Sequence, residues 1–112
     1  MSPSKNFPFD QSIVWRPSPE VIQRSRLKRF MDLHGLETYE QLIERSTTDI
    51  QWFWEAVFED LGIEFYRQYT QVLDLSNGIQ WPEWCVGGQL NIVHNCLDKW
   101  MGTPTQNRIA MH

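Results

Sequence analysis

The segment between residues 50 and 62 limits most strongly what this chain can fold into. Its apolar side chains recur at the spacing of one face of an α-helix: Ile50, Phe53, Trp54, Val57, Phe58 and Leu61. Thr48 and Gln51 have the spacing of a capping box at its start, and Gly62 is a typical helix end. The pattern predicts an amphipathic helix whose apolar stripe is buried in a core.

Two further helices are predicted before this one. Ser18, Pro19 and Glu20 form a helix start, and an apolar pattern of helical period follows until Gly35 supplies a stop. Thr38 and Gln41 form another capping box, which opens a short helix. Residues 1–16 contain prolines and no periodic pattern, so they predict an extended lead-in.

The C-terminal half has weaker patterns. Residues 72–75 predict a short strand or an extended run, and the Asn77-Gly78 pair after them predicts a turn. Residues 81–88 contain Pro and a Gly pair and predict a loop. Residues 91–101 predict a helix that Asn91 caps, with one apolar face: Val93, Cys96, Leu97 and Trp100.

Residues 107–112 predict the beginning of a strand. A single strand has no ladder partner, so we expect the polypeptide to continue into a sheet. The predicted fold class is mainly α, a small helical lobe with an extended lead-in and a truncated C-terminal strand. The lobe is expected over residues 1–106 and the strand stub over residues 107–112.

Length and charge limit the function classes. A chain of 112 residues is long enough for one core, and its net charge of −4 with mixed signs along the sequence offers no basic stripe for nucleic acid. The N-terminus lacks the pattern of a signal peptide, and no apolar run is long enough for a membrane span. We therefore expect a cytoplasmic protein without nucleic-acid or membrane partners, in which Cys85 and Cys96 are reduced and buried.

The aromatic content points to a contact surface. Six Trp, six Phe and three Tyr are more rings than so short a chain can bury completely. Exposed rings that form a patch on a protein surface usually mark a contact site.

The residues that could carry chemistry do not combine into a site. His94, Cys96 and Cys85 fall short of the four ligands and the paired spacing of structural zinc. A nucleophilic cysteine needs a base beside it and a third group that orients this base. No such third group is recognisable for Cys85, so it is not expected to be a nucleophile. The Gly87-Gly88 pair lacks the Lys and Ser/Thr that follow the glycines of a phosphate loop and is expected to form a tight turn. No catalytic, cofactor-binding or metal-binding residue is predicted.

Two distinctive runs lie between Trp84 and Asp98: Trp84-x-x-Gly87-Gly88-x-Leu90-Asn91 and Asn95-Cys96-Leu97-Asp98. They resemble a run in the N-terminal domain of acetyl-CoA synthetase-like, AMP-forming acyl-CoA ligases, which include acetoacetyl-CoA and propionyl-CoA synthetases. Further matches to that domain lie at Trp15-x-Pro17, Phe30-Met31, Tyr39-Glu40-x-Leu42, Asp49 with Phe53-Trp54, and Val72-Leu73-Asp74. Cys85 stands where the family usually has an aromatic residue, and Lys99-Trp100 stands where it usually has a basic residue and His.

The resemblance implies a two-step reaction in the complete enzyme, in which ATP and a carboxylic acid form an acyl-adenylate with magnesium and coenzyme A then displaces AMP. The family places this chemistry in domains beyond His112, so residues 107–112 would be a stub of the first strand of a missing adenylation domain. The isolated chain is expected to be inactive and to brace the adenylation domain of the same or another chain. The implied docking surface consists of Trp81, Trp84, Gly87, Gly88, Asn91, Asn95 and Trp100.

An alternative from another class is a stand-alone adaptor or regulatory module, which would bind a separate protein through the aromatic surface. Uncovered apolar area would also favour self-association. The parent protein would be an acid–CoA ligase under the first interpretation only, and the residues leave both interpretations open.

Overall fold

The computed structural model describes residues 14–109 and residue 111. The chain divides into two compact units, Met1–Gln41 and Leu42–His112. Five α-helices, one two-stranded antiparallel sheet and two 3₁₀ turns are found in the described residues, and the mainly α prediction is confirmed. In chain order they are α1 Pro19–Arg24, α2 Arg26–Leu33, α3 Tyr39–Thr48, α4 Ile50–Leu61, β1 Gln71–Asp74, β2 Glu83–Val86, α5 Ile92–Cys96, and the 3₁₀ turns Asp98–Trp100 and Pro104–Asn107.

The first unit contains a break where the sequence predicts one helix. Ser25 separates α1 from α2: its backbone N–H and its hydroxyl both donate to the carbonyl oxygen of Ile22, at 3.0 and 2.7 Å. The same hydroxyl accepts from the amide of Lys28 at 3.1 Å and so caps α2. The prediction of a continuous helix was wrong because this short polar side chain satisfies backbone groups better in a break than inside a helix.

Helix α3 begins with the predicted capping box. The amide of Gln41 donates to Oγ1 of Thr38 at 3.2 Å, and Oε1 of Gln41 accepts from the amide of Thr38 at 3.4 Å. The amide of Glu37 also donates to Oε1 of Gln41, at 2.8 Å. These reciprocal bonds satisfy the free amides at the helix start.

The start of α4 differs from the prediction by one residue. Oδ1 of Asp49 accepts from the amide of Trp52 at 3.1 Å, so Asp49 is the cap, whereas Thr48 is the last residue of α3. The predicted box of Thr48 and Gln51 is therefore wrong, since a carboxylate at the positive end of the helix dipole caps more favourably than a threonine inside the preceding helix. The side chain of Gln51 instead donates to the carbonyl of Leu73 in β1, at 3.4 Å.

The apolar stripe of α4 is only partly covered. Gly62 ends the helix with φ +62°, as predicted, but Ile50, Trp54 and Leu61 are exposed. Phe53, Val57 and Phe58 are half-buried, and Ala56 is the buried residue of α4. The predicted burial of the whole stripe was wrong.

The small sheet forms the centre of the second unit. Strand β1 pairs antiparallel with β2, with Leu73 opposite Trp84, and Val72 is 1% exposed. The predicted strand at 72–75 is confirmed one residue earlier, but the predicted loop over 81–88 was wrong because Glu83–Val86 is β2. Pro82 precedes the strand and the Gly pair follows it, so these residues bound a strand and do not prevent one.

The region 91–101 is less helical than predicted. Helix α5 ends at Cys96, a 3₁₀ turn follows, and the predicted apolar face is exposed. The residue of α5 that is buried is Asn95, at 8% exposure. Both cysteines are free, but Cys85 is half-buried and Cys96 is exposed, so the predicted burial of Cys96 was wrong.

The described C-terminal residues do not test the predicted strand stub. Pro104–Asn107 form a 3₁₀ turn, and Ile109 and Met111 belong to no strand within the described residues. Residues 1–13, which hold most of the predicted lead-in, together with residues 110 and 112, lie outside the described residues. No helix of the described part of the chain is long and apolar enough to cross a membrane.

Candidate docking surface

Three exposed tryptophans of the second unit lie on α4 and on the β2 side of the sheet. Trp84 of β2 is 49% exposed, and its ring meets the ring of Trp54 of α4 edge-on, with centroids 6.0 Å apart. Trp81, 69% exposed, precedes β2 by two residues, and its amide donates to the carbonyl of Gly78 at 3.0 Å. We call Trp54, Trp81 and Trp84 the tryptophan face. The sequence pattern predicted that Trp54 is buried in the core, so its place on an exposed surface was missed. The available signal was that Trp54 is a large apolar side chain in the stripe of α4.

The Gly87-Gly88 pair forms the tight turn after β2. The amide of Gly88 donates to the carbonyl of Cys85 at 2.8 Å, and Gly87 has φ +72°. A Cβ added at Gly88 would lie 2.9 Å from the carbonyl oxygen of Cys85 and 3.1 Å from Cβ of Tyr69. The side chain of Arg67 donates to the carbonyl of Gly87 at 2.7 Å. The two glycines therefore shape the turn that ends β2. Because glycine has no side chain, they could contact a partner only through backbone atoms.

The asparagines hold α5 in place. Oδ1 of Asn91 accepts from the amides of Val93 and His94 at 2.8 and 3.3 Å and caps the helix, as predicted. The side chain of Asn95 accepts from the amide of Glu64 at 2.8 Å and donates to the carbonyl of Glu64 at 2.9 Å. Asn95 thus pairs with a backbone segment 31 residues earlier. This buried side chain fixes the position of α5 relative to that segment.

A second set of polar contacts joins the same segments. Nε2 of His94 lies 2.5 Å from a carboxylate oxygen of Glu64, and the hydrogen bond from His94 holds the pKa of Glu64 below its ordinary value of 4.5 against an opposing effect of desolvation. Nζ of Lys99 donates to the carbonyl of Gly62 at 2.5 Å and so caps the end of α4. Sequence reasoning missed Glu64 and Lys99, because partners 30 or more residues apart leave no local spacing to detect.

Trp100 is anchored at one end. Its Nε1 donates to the carbonyl of Asn95 at 3.2 Å, while the ring stays exposed. The seven residues predicted as a docking surface therefore divide into three exposed rings, Trp81, Trp84 and Trp100, and four positions that shape the backbone, Gly87, Gly88, Asn91 and Asn95.

The surroundings of Cys85 do not favour nucleophilic chemistry. Burial raises the pKa of the Cys85 thiol, which keeps it protonated and weakens it as a nucleophile. Cys85 also has φ +50°, a conformation that costs a residue other than Gly about 1 kcal/mol. Among the described residues, no three His, Cys, Asp or Glu side chains are grouped so that they could hold a metal ion.

Comparison with known proteins supplies the family. The sequence pattern of the family "Acetyl-coenzyme A synthetase N-terminus" matches residues 39–96, about half of the chain. The chain is similar to acetyl-coenzyme A synthetase of Laribacter hongkongensis, with 36% identity over 67 residues, which cover 58% of this chain and 10% of the relative.

Two other relatives match a larger share of the chain. Acetoacetyl-CoA synthetase of Macaca fascicularis is 30% identical over 102 residues, which cover 85% of this chain and 15% of the relative. Acetyl-coenzyme A synthetase of Cryptosporidium parvum is 28% identical over 98 residues, or 87% of this chain and 13% of the relative. The chain thus spans 10–15% of the length of these relatives. No solved structure matches it significantly.

The matched segment runs from the first residue of α3 to the last of α5, so it includes the stripe of α4, both strands and the two asparagines. The resemblance found in the sequence is confirmed over these elements. The chain belongs to the acetyl-coenzyme A synthetase N-terminus family.

Proposed function

We propose that this chain is the N-terminal lobe of an AMP-forming ligase of the acetyl-CoA or acetoacetyl-CoA synthetase type. Its role there is to cover and brace the adenylation domain, and the lobe has no catalytic activity of its own. ATP, magnesium and coenzyme A belong to the complete enzyme, and the residues that bind them lie outside this chain.

The observation that carries the proposal is the tryptophan face. Trp54 and Trp84 are in ring contact and both remain exposed, although Val72 and Leu73 of the neighbouring strand β1 are buried, and Trp81 is more exposed than either. Large apolar rings that stay on the surface although the chain has folded favour a role in protein contact. A lobe that covers another domain would need such a surface.

The polar contacts support a bracing role. Asn95 and His94 of α5 and Lys99 of the following 3₁₀ turn hold the segment after α4 through hydrogen bonds between 2.5 and 2.9 Å. Contacts of this kind fix the relative position of α4 and α5 before any partner binds. A preorganised surface binds with a smaller loss of conformational entropy.

A chimera tests the bracing role. In acetoacetyl-CoA synthetase of Macaca fascicularis, the matched N-terminal region is replaced by this chain, and ligase activity and thermal unfolding are compared with a variant that lacks the region. We expect the chimera to unfold at a higher temperature than the deletion variant and to retain more activity. The replacements Trp81→Ser and Trp84→Ser together should remove most of that difference.

Trp52→Phe is the matched control, because the guanidinium of Arg45 covers the ring of Trp52 at 3.6 Å and the ring lies outside the tryptophan face. It should leave the chimera unchanged. A chimera no more stable or active than the deletion variant would contradict the proposed bracing role, as would equal losses in the control.

Inactivity of the isolated chain is tested separately. The chain is incubated with ATP, magnesium, acetate or acetoacetate, and coenzyme A, and released AMP is measured. We expect no AMP above a heat-inactivated control. Reproducible AMP formation would refute this part of the proposal if purified variants with changes at unrelated surface positions retain it. It would then place catalytic residues inside this chain.

A further inference from the structure

A pocket in the second unit is lined by aromatic rings and two carboxylates. It has a volume of about 320 Å³ and lies between the second half of α4 and residues 63–69. This volume is at the lower end of the range for small-ligand sites. The pocket shares no residue with the predicted docking surface or the tryptophan face, so a ligand bound in it would add a role beyond the proposed function.

Three rings form the apolar wall of the pocket. Phe58, Phe65 and Tyr69 contact one another, with centroid distances of 5.9 Å between Phe58 and Phe65, 6.1 Å between Phe58 and Tyr69, and 5.1 Å between Phe65 and Tyr69. All three are half-buried, so each keeps part of its surface accessible. Gly88 packs behind two of them, because a Cβ there would lie 3.1 Å from Cβ of Tyr69 and 3.4 Å from Cδ1 of Phe65.

Two carboxylates stand beside these rings on one face of α4. Glu55 and Glu59 are one helical turn apart and both are exposed. In the part of the chain that the structure describes, neither forms an ion pair with Lys or Arg. The charge of Glu55 reaches the rings: the pKa of Tyr69 is raised, first by burial and next by Glu55.

The surrounding charge has the same sign. Between Leu42 and His112 the chain has four Lys or Arg residues against nine Asp or Glu residues. Lys99 lies near the pocket, but its Nζ donates to Gly62 and Asn95. The field at the pocket therefore attracts a cation from outside the chain.

We infer that this pocket binds an arginine side chain of a partner polypeptide, with the guanidinium against Phe58, Phe65 and Tyr69 and its charge facing Glu55 and Glu59. A ring face attracts a cation through its quadrupole, and two carboxylates at the edge add direct charge complementarity. Arginine fits better than lysine because its planar head stacks on rings and gives up hydration more easily. The chain already contains one contact between a guanidinium and an aromatic ring, since the guanidinium of Arg45 lies 3.6 Å from the centroid of Trp52.

The test uses the 112-residue chain and a blocked tripeptide, acetyl-Gly-Arg-Gly-amide, followed by NMR of backbone amides. The expected result is a saturable shift of the amides of Gln68 and Tyr69. The same peptide with citrulline in place of arginine, which is neutral and has nearly the same shape, should cause no saturable shift. The lysine peptide should bind more weakly than the arginine peptide.

The variant Glu55→Gln/Glu59→Gln should weaken arginine binding about tenfold. Its control is Glu44→Gln/Glu83→Gln, which removes the same charge from two exposed positions outside the pocket and should change affinity by less than about twofold. The spectra of both variants also report whether the fold is retained. The citrulline comparison on the unmodified chain tests the inference even without the variants.

Three results would overturn the inference. Equal shifts with arginine and citrulline peptides would show that the cation is not recognised. Equal weakening in both double variants would show a non-specific effect of net charge. Tetramethylammonium binding as tightly as the arginine peptide would show a site for small cations rather than for a protein side chain. Each readout is independent of the chimera, so failure here leaves the proposed function standing.

Discussion

Asn95 joins the segment after α4 to helix α5 through two hydrogen bonds. Its side chain pairs with both backbone polar groups of Glu64 and also donates to the carbonyl of Asn91 at 3.1 Å. In the described residues, no buried side-chain polar atom lacks a hydrogen-bond partner. A side chain that satisfies a distant backbone segment in this way is difficult to replace.

The variant Asn95→Ala should therefore lower the free energy of unfolding by about 2 kcal/mol, because it leaves the amide and carbonyl of Glu64 without their partners. Urea denaturation followed by tryptophan fluorescence measures the change. Asn77→Ala, at an exposed turn position, is the control and should change the free energy of unfolding by no more than about 0.5 kcal/mol. Equal effects of the two variants would show that the pairing with Glu64 does not contribute.

Glu64 adds a pH dependence at the same place. The hydrogen bond from His94 lowers the pKa of Glu64 in the folded chain, with a smaller contribution from Lys99. A carboxylate whose pKa is lower in the folded state stabilises the fold above its unfolded pKa, here near 4.5, and this contribution is lost as the pH falls through the lower folded value.

We expect the unmodified chain to be more stable than Glu64→Gln at pH 6, and this advantage to shrink below about pH 4.5 and to be lost as the pH falls through the lower folded pKa of Glu64. Urea denaturation of both proteins from pH 6 downwards measures it. Glu83→Gln, an exposed carboxylate on β2 without a basic partner in the described residues, should follow the unmodified chain throughout. An advantage that persists at low pH would mean that the pair with His94 is not its source.

The elements of the second unit depend on backbone positions where side chains cannot fit. Strand β2 ends in a turn in which Gly88 faces the carbonyl of Cys85 and the side chain of Tyr69. This turn fixes how β2 continues towards Gln89, which pairs with Arg67. The contacts of one glycine thus determine the path of the chain between the sheet and α5.

Gly88→Ala should cost about 2 kcal/mol of folding free energy, because its Cβ would meet a backbone oxygen that has little room to move. Amide hydrogen exchange should show lost protection at Gly88 and at the β1–β2 pairs. Gly102→Ala is the control: that site has open space around the added Cβ, so only the left-handed backbone, at about 1 kcal/mol, is penalised. A Gly88→Ala protein as stable as the Gly102→Ala protein would contradict the packing argument.

The second unit as a whole exposes many large apolar side chains, among them the tryptophan face and the apolar side of α5. Such a surface binds hydrophobic dyes and favours association when nothing covers it. We expect the isolated chain to enhance the fluorescence of an anilinonaphthalene dye and its tryptophans to be quenched by acrylamide.

The double variant Trp81→Ser/Trp84→Ser should reduce the bound dye by about half or more, as expected if these rings dominate the patch. Trp52→Phe, whose ring lies under Arg45, should leave dye binding unchanged. Dye binding that the double variant does not lower would mean that the tryptophan face is not the exposed patch. Gel filtration at several protein concentrations shows whether the double variant also reduces self-association and whether Trp52→Phe leaves it unchanged.

Local sequence signals determined most of the elements of this protein. Capping side chains and glycines act within three or four residues, so the start of α3, the end of α4 and the cap of α5 could be predicted from spacing alone. The family was also accessible, because the run from Trp84 to Asp98 is distinctive. The break at Ser25 was missed because its hydroxyl competes with a helical pattern that remains intact around it.

The tertiary structure decided which side chains are covered. Periodicity predicts that one face of α4 is apolar, but burial depends on what packs against that face, and the described chain covers it only in part. The same is true of Asn95, Glu64 and Lys99, whose contacts join segments more than 30 residues apart. Strand β2 forms between Pro82 and the Gly87-Gly88 pair because β1 has a free edge with which it can form backbone hydrogen bonds. Partners that are distant in sequence meet only in the folded chain, so burial, the pairing of Glu64 and the aromatic pocket follow from the fold and not from local pattern.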